Sequence, residues 1–135
     1  MRDEPLRLLL DTNVLLDEYI STRPSSATSR ELIDFALDQE HILLYPARAI
    51  AEIAWGCVDN LCEFATAVGL DNSDVWLARK YRTLHDDFED NFILAAAERA
   101  KVDFLVTSDQ SLLRKATVAA LSPQDMLAVL KAGTK

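Results

Sequence analysis

Short apolar runs that alternate with segments of helical periodicity predict an α/β protein, built on a parallel sheet covered on both faces. Three observations carry that expectation. Residues 6–10 form a mostly apolar run, Leu-Arg-Leu-Leu-Leu, as suits a strand buried on both sides. Residues 41–45 and 103–107 repeat the pattern further along the chain. The stretches between them carry apolar residues at helical spacing, the signature of helices that pack one face on a sheet.

The chain has 135 residues, enough for one domain, 1–135, with a sizeable core. Half of the residues are hydrophobic and 27% are charged, a balance that excludes a disordered chain. No apolar stretch approaches the length of a membrane span, so no membrane partner is expected. The start, Met1-Arg2-Asp3-Glu4-Pro5, lacks a signal-peptide layout, and a cytoplasmic protein is expected. Cys57 and Cys62 have neither the paired spacing of a zinc site nor the pattern of a disulfide framework. His41 and His85 stand far apart, and a structural role is expected of both. The net charge of −8 argues against strong non-specific nucleic-acid binding. It does not exclude a nuclease, because acids gathered in a metal site attract cations.

In chain order, the first strand ends abruptly in Asp11-Thr12-Asn13. Residues 12–20, with Val14, Leu15 and Tyr19, read as a helix. Asp11 therefore stands where strand becomes helix, and two roles are open to it: a helix N-cap, or an acid at the carboxyl edge of a parallel sheet, where ligands bind. A polar loop with Pro24 leads to a helix that begins within 25–28 and carries Leu32, Ile33 and Ala36. The second strand, 41–45, is closed by Pro46. Residues 47–55 read as a helix with Glu52 among apolar residues, and Arg48 four residues earlier on the same face, the spacing of an ordinary Arg–Glu surface pair. Residues 55–70 continue as helix, whole or broken, with Gly69 as a C-cap.

Asp71 begins another helix, running through Trp76 and Tyr81 to Leu84, in which Arg79, Lys80 and Arg82 form the densest basic group. The acidic run 85–90 then loads the N-terminus of an alanine-rich helix, 91–100. Acids there favour the helix dipole, and Asp86 with Glu89 resembles a capping box. Asp90, however, shares a face with Ile93, Leu94 and Ala97, the side that packs on a sheet. The third strand ends in Thr107-Ser108-Asp109, as the first ends in Asp11. Residues 110–115 form a short helix and 117–121 a weak strand. Ser122 caps a last helix with Pro123 at its first position.

Two strands thus end in acids, Asp11 and Asp109, and two helices carry acids near their starts, Glu52 and Asp90. A parallel sheet brings strand ends and following helix starts to one edge. Four carboxylates in close quarters need cations, and oxygen-only ligands suit Mg²⁺ or Mn²⁺. The chemistry such a site serves is attack of water on a phosphodiester, with no covalent nucleophile.

The motifs Leu-Asp-Thr-Asn at 10–13, Glu52 in Ile-Ala-Glu-Ile, Phe-Glu-Asp-Asn-Phe-Ile-Leu-Ala-Ala-Ala at 88–97 and Leu-Val-Thr-Ser-Asp at 105–109 resemble those of PIN domains, in the family's order, over about residues 6–130. The resemblance implies a three-layer α/β/α sandwich with a central parallel sheet of four to five strands. It implies metal-dependent ribonuclease activity, and for many small members a homodimeric toxin of a VapC-like toxin–antitoxin pair. By position it makes Asp11, Glu52, Asp90 and Asp109 the metal-binding catalytic acids, with Asn13 and Thr107 in support. Asp87, three residues before Asp90, is a further candidate acid. Arg48, Arg79, Lys80 and Arg82 are candidate phosphate contacts, against the plain alternative of a solvated helix face. The competing function is a non-catalytic module of the same fold that binds nucleic acid or protein. An aspartyl-phosphate receiver is disfavoured: Asn13 stands where a second Asp belongs, and no Lys closely follows the third strand.

Overall fold

The computed structural model describes residues 4–69, 71–81 and 88–133, with Phe88 described by its backbone alone. Five strands form one sheet: β1 (Arg7–Leu10), β2 (Ile42–Pro46), β3 (Thr66–Val68), β4 (Phe104–Val106) and β5 (Ala120–Leu121). All pair in parallel, in the order β3-β2-β1-β4-β5. Between them run α1 (Thr12–Tyr19), α2 (Ser26–Asp38), a 3₁₀ helix (Ala47–Glu52), α3 (Trp55–Phe64), α4 (Asn72–Lys80), α5 (Phe88–Arg99) and α6 (Gln110–Lys115), and α7 (Pro123–Ala132) follows β5.

The pleat of the sheet sorts the core into two halves. Leu8 and Leu10 of β1, Leu43 and Tyr45 of β2 and Val106 of β4 pack with Val14, Leu15, Leu32, Ile33 and Met126. Leu9, Leu44 and Leu105, one residue out of phase, pack with Ile93, Leu94, Ala96, Ala97 and Leu112. Successive strand residues point to opposite faces, so a run of leucines fills both halves at once. Helices therefore cover both faces, giving the α/β/α sandwich. Right-handed crossovers require this division: steps from β1 to β2 to β3 and from β3 to β4 to β5 run in opposite directions across the sheet. The reversal leaves a crevice outside the carboxyl ends of β1 and β4.

α1 and α2 are joined through a buried acid. Asp17, 1% exposed, accepts from the Ser29 hydroxyl at 2.6 Å and pairs with Arg23 Nε at 2.7 Å, while the Ser26 hydroxyl donates to its carbonyl at 2.7 Å. α4 is tied to α5 in the same manner, by Arg99 Nε at 2.9 Å from buried Asp74. His41 serves structure as expected, its Nδ1 accepting the Leu6 N–H at 3.0 Å. No helix among the described residues is long and apolar enough to cross a membrane.

Three sequence expectations are corrected. Residues 47–55 do not form one helix: a 3₁₀ helix ends at Glu52 and α3 begins at Trp55. With three residues per turn, positions four apart no longer share a face. Arg48 accordingly pairs with Glu89 of α5, at 2.9 Å, and not with Glu52. The expected helical continuation to Gly69 is interrupted by β3, an edge strand of three residues with Thr66 and Ala67 exposed, and Gly69 follows that strand. So short an edge strand has no apolar run to announce it. Finally, α4 ends at Lys80, while the acidic run 85–87 and the remainder of that expected helix, 82–84, lie outside the described residues.

Glu18 of α1 is half-buried, with Oε2 shut from solvent and without a hydrogen-bond partner. Burial pushes its carboxyl above the usual glutamate value, Asp34 adds to the rise, and Arg30 opposes it. A raised carboxyl contributes stability that is complete below the unfolded value and is lost as pH rises through the folded one. Glu18→Gln should therefore melt with wild type near pH 4 and above it at pH 7, as read by thermal unfolding across that range.

Candidate active site

Asp11 leaves β1 with its N–H donating to the Val106 carbonyl at 2.9 Å, one rung beyond the strand. Its backbone stays extended, at φ −64° and ψ 158°, which makes it the N-cap of α1, and Oδ1 accepts the Thr12 N–H at 2.8 Å. Capping uses one oxygen. The other, Oδ2, turns to the neighbouring strand end and accepts from the Thr107 hydroxyl at 2.7 Å and the Asn13 amide at 3.1 Å. Asp11 is thus both a cap and an acid in the crevice, and the two sequence readings do not compete.

The end of β4 mirrors that of β1. Thr107 is fully buried, and its hydroxyl, while donating to Asp11, accepts the Asp109 N–H at 3.1 Å. Asp109 caps α6, with Oδ1 accepting the Leu112 N–H at 3.1 Å. Asn13 bridges the two ends: Oδ1 accepts the Ser108 N–H at 3.2 Å, and Nδ2 lies 3.4 Å from Thr107 Oγ1. Burial pushes the Asp11 carboxyl above the ordinary aspartate value, and the Asp109 carboxylate pushes it the same way. The hydrogen bonds from Thr107, Thr12 and Asn13 pull against both.

Glu52 ends the 3₁₀ helix and is exposed, while Asp90, in the first turn of α5, is half-buried. The Arg48–Glu89 pair joins those two elements, and the 3₁₀ helix also packs on α1. These contacts link the elements that carry Asp11, Glu52 and Asp90. Asp11, Asn13, Thr107 and Asp109 form a continuous network. Among the described residues, no three His, Cys, Asp or Glu side chains stand close enough together to hold a metal ion. Asp87 and Arg82 lie outside the described residues.

Of the candidate phosphate contacts, Arg48 is committed to Glu89 and Arg79 lies over the Trp76 ring, 4.8 Å from its centroid. Lys80 is exposed beside it on α4, lining a groove of about 460 Å³ with Trp76, Leu77 and Arg99. Sequence reasoning missed Arg23, whose Nη2 lies 3.4 Å from the Asn13 carbonyl. The available signal was Asp17, an acid four residues after Asn13 on the same helix face. Thr107→Val removes one donor from a buried carboxylate and one acceptor from the Asp109 N–H. It should cost about 1–3 kcal/mol in urea unfolding, and Thr107→Ser should recover most of that loss.

With this geometry in place, the comparisons with known proteins agree. A family model described as PIN domain matches residues 7–111. Among solved structures, that of VapBC2 from Rickettsia felis bound to a DNA fragment from their promoter is similar at a TM-score of 0.65 and 15% identity, covering 87% of this chain and 98% of that one. FitAcB from Neisseria gonorrhoeae is similar at 0.59 and 18%, covering 86% and 97%. PAE2754 from Pyrobaculum aerophilum is similar at 0.60 and 17%, covering 96% and 99%. No curated protein matches. At these identities the structural likeness speaks for the fold, while the family match spans more than half of the chain: this protein belongs to the PIN-domain family.

Proposed function

We propose that this chain, read as a single domain over 1–135, is a ribonuclease that hydrolyses phosphodiester bonds of single-stranded RNA with Mg²⁺ or Mn²⁺. The observation that carries the reading is the pairing of Asp11 with Asp109 at the reversal of strand order. Burial and the Asp109 carboxylate both raise the Asp11 carboxyl, and a bound cation would oppose that rise. The donors present are carboxylate, hydroxyl and amide oxygens, the set that hard divalent cations prefer and zinc does not. Asp11, Asp109, Asp90 and Glu52 would hold the ion by closing on it, since no three of these acids stand together without it. When bound, it supplies Lewis acidity for attack of water on the phosphodiester and stabilises the departing oxygen.

The chain's own residues do the rest. Thr107 and Asn13 orient the Asp11 carboxylate from one side, leaving its α1-capping oxygen fixed by Thr12. Asn13 also holds the Ser108 N–H, so the loop that carries Asp109 keeps its distance from Asp11. Arg48 reaches Glu89, next to Asp90, and keeps the 3₁₀ helix against α5. Arg79, Lys80 and Arg82 are the further cations for the strand's phosphates. The likeness to the VapBC2 and FitAcB structures supports a toxin of a toxin–antitoxin pair with an antitoxin protein as its partner; a cytoplasmic location and a homodimer belong to the same proposal. The exposed Trp55 and Trp76 offer apolar surface for such contacts.

The test is cleavage of single-stranded and structured RNA by the purified protein in Mn²⁺, Mg²⁺ or EDTA, beside Asp11→Asn and Asp90→Asn. Cutting should need the metal and fall by at least about a hundredfold in each variant, the scale of several kcal/mol of transition-state stabilisation. A folded wild type that cuts no RNA with either metal would favour the non-catalytic binding module.

A further inference from the structure

Arg23 is anchored on one side to a buried acid and partly exposed on the other. Its side chain is 35% exposed, yet Nε is held 2.7 Å from Asp17 Oδ1, a carboxylate only 2% exposed. Ser29 already donates to the other Asp17 oxygen at 2.6 Å. Nη2 reaches the Asn13 carbonyl at 3.4 Å, and Nη1 donates to no group among the described residues. Partial exposure spares the guanidinium much of the desolvation cost of a sequestered pair and keeps some of its donors turned to water. Here one edge is anchored and the opposite edge is left for solvent.

The location gives that edge a use. Asp17 lies four residues after Asn13, so Arg23 sits along the face of α1 whose Asn13 side chain clamps Asp11 and Ser108. One helical turn, about 5.4 Å, separates the two levels. A fixed, forked donor beside an acidic crevice matches the oxygens of a phosphodiester. In a chain of net charge −8, a polyanion needs such a cation held in place, because long-range attraction is lacking.

We propose that Arg23, anchored by Asp17, binds a backbone phosphate of the single strand next to the bond being cut. This rests on the ribonuclease reading above and adds a substrate contact to it. The experiment measures binding of a fluorescent single-stranded RNA oligonucleotide in EDTA as a function of salt, for wild type and for Asp17→Asn/Arg23→Gln. The double substitution removes the guanidinium together with its buried partner, so no uncompensated charge is left. The expected result is roughly tenfold weaker binding, the scale of one charge-assisted hydrogen bond. The slope of log affinity on log salt should flatten by about 0.7, the contribution of one phosphate contact to a single strand. A folded variant with unchanged affinity and slope overturns the proposal while leaving the ribonuclease reading intact. A wild type that neither binds RNA in EDTA nor cuts it with Mn²⁺ overturns both. On the wild type itself, phenylglyoxal labelling read by mass spectrometry should show Arg23 protected by the oligonucleotide, a result independent of how the variant folds. Equal labelling with and without RNA also overturns the proposal.

Discussion

The hydrogen bond from Thr107 to Asp11 is the interaction on which the rest of the site depends. It spans 2.7 Å between the ends of β1 and β4, the two strands that flank the reversal of strand order. Parallel strands need only their backbone ladder to pair, and the ladder ends at Asp11, whose N–H still reaches the Val106 carbonyl. Beyond that rung the chains must part, one into α1 and the other into α6. The Thr107 hydroxyl holds them together past the ladder. Asn13 repeats the link a residue further out, through the Ser108 N–H. Each helix start is therefore positioned by the other strand's side chains as well as by its own cap.

That arrangement carries a cost that is informative. Asp11 is 5% exposed and accepts three hydrogen bonds, yet burial and the neighbouring Asp109 still hold its carboxyl above the ordinary range. A cap alone would favour an exposed, readily ionised acid, as at Asp71, where the Ser73 hydroxyl heads the causes that draw the carboxyl below its usual value. Both residues cap helices, but only Asp11 is buried beside a second acid. Raised carboxyls gather at functional sites, while structural acids such as Glu18 share the rise.

Much of this was legible in the sequence because β1 is central. A strand buried on both faces shows as a nearly unbroken apolar run, and the leucines 8–10 do fill both halves of the core. Asp11 and Asp109 stood out because each ends such a run. β3 was not legible: it lies at the edge, has three residues and hides only Val68. The 3₁₀ geometry of 47–52 was missed because apolar spacing over six residues does not distinguish three residues per turn from 3.6. That error carried over to Arg48, whose partner is set by tertiary contact with Glu89 across 41 positions of sequence. Arg23 was missed for a related reason. It sits in a polar loop, and its anchor is visible only once α1 and α2 are packed.

Charge in this molecule is consequently a local matter. Arg23, Arg48 and Arg99 each lie against a carboxylate, at 2.7, 2.9 and 2.9 Å. Pairing cancels their long-range field, which accords with a net charge of −8. Pairing also removes the entropy a free arginine would lose on binding, since the guanidinium is already held in one orientation. Under the proposed function, phosphates would meet cations that are already held in place. Affinity built that way comes from fit at a small number of positions and falls off away from them. Under the proposed function, a strand would be engaged where the anchored cations and the Asp11–Asp109 crevice are satisfied together, and selectivity would follow from that fit.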